Sequence, residues 1–265
     1  MEKRLLAPAE VAKATVTVGE KKAGLSTKVT MVLGILAGIF IGLGGLGNII
    51  VTQTLGGIDA GLAKFMGAAV FPVGLMLVVV CGAELFTGNN LMTLAYMEKK
   101  ISMKQLLRNW GLVWVANFIG ALLLVAIVYY GEVLSGDAST KAIAVAESKG
   151  SLSITVMFLR AILCNMIVVL AVWMATASQD IVSKIFACWF PIMLFVLCGF
   201  EHSVANMFFI PMGMLLGTQV TMSQLIINLV VVTLGNIVGG AIVIPFMYKV
   251  AYLPKVEKES SQAKN

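Results

Sequence analysis

CGAELFTGN occupies residues 81–89, and CGFEHSVAN occupies residues 198–206. The two stretches share the pattern Cys-Gly-x-Glu-x-x-x-x-Asn, and each lies inside a long apolar run. An ionisable side chain in such a run is expensive and marks a functional position by default. A glycine beside it lets the backbone turn, so each stretch is expected to interrupt a helix. Backbone groups freed by an interruption at membrane depth must be satisfied by protein or by a water-filled cavity. A chain that breaks a helix this way twice is expected to use both breaks for one purpose.

The rest of the sequence has the composition of a membrane protein. Of 265 residues, 59% are hydrophobic and 12% charged, against about 25% charged in soluble domains. Six apolar windows of roughly membrane-spanning character fall at 29–51, 65–96, 112–130, 154–177, 185–198 and 225–250. Arg160 is the sole charge of the fourth window, near enough to its start to snorkel to the interface. The domain plan is a cytoplasmic amphipathic segment at 1–28, a membrane domain at 29–252 and a cytoplasmic tail at 253–265. The first segment carries Val11, Ala14, Thr15 and Val18 at helical spacing after Pro8, which suits a helix lying at the inner surface. The opening residues lack the apolar core of a signal peptide. Cys81, Cys164, Cys188 and Cys198 have no CxxC spacing and read as small apolar filler, with no disulfide and no metal site.

The net charge of +6 is topological and does not point to nucleic acid. With the N-terminus inside, six Lys/Arg fall in 1–28, four in 97–109, one in 178–184 and four from Lys249 onward. Lys64, Lys141, Lys149 and Arg160 fall outside. Fifteen against four is the positive-inside bias and places both termini in the cytoplasm.

The two quoted stretches lie 117 residues apart, and Asn117 in NFIGA is echoed 119 residues later by Asn236 in NIVGGA. The membrane domain therefore divides into halves at 29–131 and 153–252. Three spans is an odd number, so the second half enters the membrane inverted. In transport proteins that arrangement puts the working site near the midplane, where the halves meet. Glu84 and Glu201 are expected to pin the broken backbone, with Asn117 and Asn236 as amide brackets, since a polar group in hydrocarbon needs a partner. Gly34, Gly38 and Gly42 recur every four residues and predict close helix packing. His202 is the only histidine in the chain and sits in the second interruption, where a permeation path would be narrowest.

FEHSVANM at 200–207, CGAELFTG at 81–88 and six spans with the second and fifth interrupted closely resemble the formate/nitrite transporter family. The resemblance runs from the amphipathic segment to TLGN at 233–236. It implies an all-α, aquaporin-like protomer of three plus three spans, assembled as a homopentamer in the inner membrane with one pore per protomer. It implies no enzyme activity, no cofactor and no metal. A central pore pair would fall on His202 and Thr87, with Asn206 close to the histidine. Constriction residues would fall on Phe71 and Leu75 on the outer side, and on Leu85, Phe86 and Phe195. Asn165 and Asn236 would supply polar contacts. Vestibule lysines would be Lys149 outside and Lys22 inside, with Lys21 next door leaving the inner match open.

The implied cargo is a small monovalent anion of a weak acid: formate first, nitrite or hydrosulfide otherwise. Lysines at the mouths would draw the anion in, and the histidine would lend it a proton or a hydrogen bond at the apolar neck. An unperturbed histidine titrates near pH 6.5, which would couple flux to pH. A membrane redox enzyme is the other class considered. One histidine and scattered cysteines make poor cofactor ligands. A neutral solute as cargo fits badly with lysines at both mouths.

Overall fold

A computed structural model describes residues 5–254. Within them the fold is helical with no strands; Leu5 and Ser178 make one isolated antiparallel bridge. The expected tail at 253–265 lies, apart from its first two residues, outside the described residues.

The helices in chain order are α1 (Pro8–Ala23), α2 (Thr27–Thr52), α3 (Ala60–Val70), α4 (Val73–Val80), α5 (Phe86–Asn89), α6 (Thr93–Met97) and α7 (Met103–Tyr130). They continue with α8 (Asp137–Gly150), α9 (Ile154–Ala177), α10 (Ile181–Leu197), α11 (Ser203–Leu215), α12 (Met222–Ile237) and α13 (Ile244–Tyr252). A π-helical stretch at Val238–Val243 joins the last two. Five segments are long and apolar enough to cross a membrane: Thr27–Thr52, Ala60–Val80, Met103–Tyr130, Ile154–Ala177 and Met222–Tyr252. Helices α10 and α11 are apolar but shorter.

Helix starts follow local chemistry. Ser26, Ser102, Ser153 and Thr221 each turn a hydroxyl onto a backbone N–H of the first turn, satisfying donors that the helix leaves open. Ser102 with Gln105 and Thr221 with Gln224 form reciprocal capping boxes. These two boxes stand 119 residues apart, as Asn117 and Asn236 do.

The expected close packing by small residues falls within the chain. A Cβ on Gly38 would lie 2.0 Å from the Asn117 carbonyl oxygen, and one on Gly120 would lie 2.0 Å from that of Ile35. Helices α2 and α7 therefore touch backbone to backbone. The partner contact is on α9, where a Cβ on Gly239 would lie 2.1 Å from the Ile162 carbonyl oxygen. Gly38→Ala is expected to cost about 3 kcal/mol, because the obstacle is backbone and cannot rotate away. Gly56→Ala, with nothing within 4 Å, is the matched control. Thermal unfolding in detergent checks the pair; equal midpoints would place the α2–α7 contact elsewhere.

Both quoted stretches break their helices at a glycine with positive φ, Gly82 at +81° and Gly199 at +68°. That backbone region carries little cost only without a Cβ. The continuations differ. After the second break α11 runs regularly to Leu215, whereas after the first the four-residue α5 passes through a 3₁₀ turn (Asn90–Met92) into α6.

Helix α1 is amphipathic, but its buried face is Val11, Ala12, Thr15, Val16, Gly19 and Ala23, and Val18 is exposed. The face is rotated from the expected Val11–Ala14–Thr15–Val18 line because α1 packs on protein. A Cβ on Gly19 would meet the Ala95 Cβ at 2.8 Å, and Val11 and Val16 join Leu91, Met92 and Leu94 in one cluster. Cys164 and Cys188 are fully buried filler, as expected, but Cys81 and Cys198 are exposed. Both exposed cysteines stand at the ends of α4 and α10, where the breaks interrupt packing.

Candidate functional site

The freed backbone of each break is held by one asparagine. Asn117 donates from Nδ2 to the carbonyls of Gly34 (2.8 Å) and Glu84 (2.9 Å), and its Oδ1 accepts the Phe86 N–H at 2.9 Å. Asn236 donates to the carbonyls of Ala161 (2.8 Å) and Glu201 (3.0 Å), and its Oδ1 accepts the Ser203 N–H at 2.9 Å. Both side chains are fully buried. With both amide hydrogens used, neither has a donor left for a ligand. Asn236 is therefore a bracket like Asn117, in place of the polar pathway contact the resemblance implied.

The glutamates do something other than pin loose amides. Glu84 accepts Lys22 Nζ at 2.6 Å and Asn89 Nδ2 at 2.7 Å, and Asn89 donates onward to Asn109 Oδ1 at 2.9 Å. Glu201 accepts Lys149 Nζ at 3.0 and 3.1 Å and Asn206 Nδ2 at 2.7 Å, and Asn206 donates to Asn228 Oδ1 at 2.8 Å. Each break thus carries the same lysine–glutamate–asparagine–asparagine cluster. Of the neighbouring pair, Lys22 makes the contact to Glu84, while Lys21 is exposed. Asn206 belongs to this cluster through its side chain and to His202 through its N–H, which donates to the His202 carbonyl at 3.0 Å.

Sequence reasoning passed over Asn109 and Asn228, and gave Asn89 no partner beyond loose backbone amides. The signal was there: Asn89 closes the first quoted stretch, and Asn228 follows Asn109 by the same 119 residues that separate the brackets.

Glu201 and Lys149 have side chains only 5% and 15% exposed. Lys149→Met therefore strands a buried carboxylate, which costs about 3 kcal/mol, and adding Glu201→Gln restores most of the loss. Melting curves of the single and double variants check this; a single variant as stable as the parent would make the pair dispensable.

Between the clusters the chain is closed. Thr87 Oγ1 and His202 Nε2 are 2.8 Å apart, and both residues are buried. His202 caps α11: its Nδ1 accepts the Ala205 N–H at 3.1 Å. The ring hydrogen of the neutral form is then on Nε2 and is donated to Thr87, which leaves the Thr87 hydroxyl hydrogen free to point elsewhere. Asn165 ties the centre together, its Nδ2 meeting the Thr87 carbonyl (3.3 Å), Asn90 Oδ1 (2.8 Å) and the Asn236 carbonyl (2.8 Å). Asn165 Oδ1, Ser203 Oγ and Asn206 Oδ1 are buried without a partner among the described residues. Unpaired polar atoms of that kind are rare in native interiors and call for a water, an ion or a functional role.

A cavity of about 100 Å³ lies on the Lys22 side, lined by Lys22, Leu75, Leu85, Gly88 and Asn89 among others. One of about 460 Å³ lies on the Lys149 side, walled by Phe71, Phe195, Phe209 and His202 toward the centre. The expected constriction residues therefore divide differently from the expectation. Leu75 faces the Lys22 cavity with Leu85, on the opposite side of the Thr87–His202 pair from Phe71. Those two residues stand one turn apart, Phe71 at the end of α3 and Leu75 in α4, on either side of Pro72. Phe86 lines neither cavity; its ring packs edge-on against Trp110, with centroids 6.3 Å apart. Phe209, unnoticed in the sequence, stacks on Phe71 at 6.3 Å, while Phe195 stacks on the His202 ring at 5.8 Å.

Comparison with known proteins identifies the family and the fold. The family model described as formate/nitrite transporter matches residues 9–250. A protein of Methanothermobacter thermautotrophicus named "Probable formate transporter" is 46% identical, over 93% of this chain and 97% of its own. A solved "FNT family ion channel" superposes with TM-score 0.85 at 29% identity, covering 91% of this chain and 98% of that one. A "Pentameric formate channel with formate bound" superposes with TM-score 0.77 at 31% identity, covering 86% and 98%. The chain belongs to the formate/nitrite transporter family, a family of membrane transport proteins and not of enzymes. It is a multi-pass membrane protein.

Proposed function

We propose that this chain forms a membrane pathway for small monovalent anions of weak acids, with formate as its cargo. The observation that carries the reading is the buried Thr87–His202 contact at 2.8 Å, closing the gap between two cavities that each hold a lysine–glutamate cluster. The names and bound formate of its relatives support the choice of cargo.

A bare anion loses its hydration at an apolar ring, and isolated buried charge costs many kcal/mol. The pathway offsets this in three places. Lys22 and Lys149 each engage two acceptor oxygens, and a lysine has three N–H donors, so each keeps one for the anion. Leu75 and Leu85 on one side, and Phe71, Phe195 and Phe209 on the other, exclude water. At the centre the Thr87 hydroxyl, polarised by the His202 Nε2–H, donates to the anion as it passes. Asn165 Oδ1 lies beside the same point and suits a protonated acid or a water. The histidine then acts by hydrogen bonding, with its Nδ1 occupied by the α11 cap.

In this reading α10 and α11 together make one interrupted span. The two halves are inverted copies, which the repeated brackets, clusters and capping boxes support. The Lys/Arg bias puts Lys22 and both termini in the cytoplasm and Lys149 outside, in the cell's inner membrane. Assembly as a homopentamer follows the solved relative. Exposed apolar side chains such as Phe190 (55%) and Phe246 (59%) suit lipid and neighbouring subunits.

The test is uptake of labelled formate into proteoliposomes. Expected is protein-dependent, saturable formate flux well above that of chloride, rising as pH falls. Equal flux of formate and chloride would remove the weak-acid requirement, and no flux above empty vesicles would remove the reading.

A further inference from the structure

The cavity on the Lys149 side is lined by four cations, Lys64, Lys141, Lys149 and Arg160, and by one carboxylate, Glu201. Lys149 and Glu201 neutralise each other. Among the described residues no carboxylate lies within ion-pairing distance of Lys64, Lys141 or Arg160. Asp59, Asp137 and Glu147 stand nearby but do not line the cavity; Asp59 Oδ1 accepts the Leu62 N–H at 2.6 Å, and Glu147 Oε1 accepts the Thr218 hydroxyl at 3.3 Å. The residues lining the cavity thus carry four positive charges against one negative around a space of about 460 Å³. The other cavity, of about 100 Å³, has Lys22 as the one charged residue in its lining, and that lysine is paired to Glu84.

A monovalent anion leaves most of that excess charge unanswered. A divalent one gains twice the Coulomb energy in the same field, and a concave low-dielectric wall strengthens the field. The cavity is wide enough for a tetrahedral oxyanion. The way onward is not, being closed by Phe71, Phe195 and Phe209 in front of His202, and the cost of desolvating two charges there is prohibitive.

We propose that Lys64, Lys141 and Arg160 form a binding site for divalent oxyanions at the outer mouth, where such an anion is held, cannot pass, and blocks entry of the monovalent substrate. The blocking half of this statement rests on the transport reading above; the binding half does not.

The probe is inorganic sulfate. Formate uptake is measured in right-side-out vesicles from a host without formate channels, with external sodium sulfate compared with sodium chloride at matched ionic strength. Sulfate is expected to raise the KM for formate without changing maximal flux, reaching half-inhibition at about one-tenth of the chloride concentration. In the Lys64→Gln/Lys141→Gln/Arg160→Gln variant that difference collapses to under about two-fold, while maximal flux without sulfate is retained. The effect also fades above roughly 0.5 M salt, where the screening length falls to a few ångström. Sulfate and chloride acting alike on the parent protein, or a triple variant as sulfate-sensitive as the parent, would overturn the proposal. Titration calorimetry of sulfate into the detergent-solubilised protein reads the site without transport. Binding to the parent and not to the variant upholds the site even if formate flux proves absent, an outcome that would sink the transport reading alone. No binding to the parent sinks the site.

Discussion

His202→Phe is expected to lower formate flux by roughly 10- to 100-fold while the protein still assembles. The phenyl ring fills the same space beside Phe195 but removes the Nε2–H that Thr87 accepts. Thr87 then has no partner to hold its hydroxyl toward the anion. A hydrogen bond to a charged group is worth about 1.5–3 kcal/mol, and each 1.4 kcal/mol is tenfold. The same change removes the acceptor for the Ala205 N–H, a capping loss of about 1 kcal/mol, which the fold survives. His202→Asn separates the roles. Asparagine caps helices well and carries an N–H for Thr87, but it does not titrate. With Nδ1 committed to the cap, the ring acts through its Nε2–H, so His202→Asn should keep a large part of the flux and the parent's rise in flux toward low pH. A His202→Asn profile flat in pH would show that the histidine's own charge drives entry, and would overturn the hydrogen-bonding role.

Asn236→Ala should be the most destabilising single change outside the glycine contacts. It strands two carbonyls, of Ala161 and Glu201, and the Ser203 N–H, all near the centre of the fold. Each buried group left without a partner costs about 1–3 kcal/mol, so the sum approaches the whole stability of an ordinary domain. Failure to accumulate a folded oligomer is expected on size-exclusion chromatography. Asn236→Asp, which keeps the acceptor for Ser203 but loses both donors, should be little better. Asn117→Ala should behave as Asn236→Ala does, since its three contacts match. A stable, monodisperse Asn236→Ala protein would mean that water replaces the bracket and that the second break is wet.

The breaks, their glycines and their brackets were legible in the sequence because each rests on a local necessity. A positive φ asks for glycine, and a broken helix in hydrocarbon asks for an amide side chain. The repeat at a near-constant offset exposed both. The two asparagines at 109 and 228 were equally legible at that offset, but an asparagine is not unusual enough to draw notice without a partner in view.

Three features were settled only by the fold. The division of Phe71 from Leu75 between the two cavities depends on which neighbours each side chain meets, which residue types alone do not place. The pairing of each lysine with a glutamate more than fifty residues away joins α1 and α8 to the breaks, and no local periodicity carries that. The tautomer of His202 depends on the cap it makes to Ala205, a consequence of where α11 begins. That the chain enters the membrane and breaks two helices could be read locally, because burial and backbone satisfaction act over a few residues, while its family came from the resemblance carried by CGAELFTG and FEHSVANM. Which charges are spent on one another and which remain unpaired was decided by the tertiary structure, because charge pairing depends on distance in space and not on position along the chain.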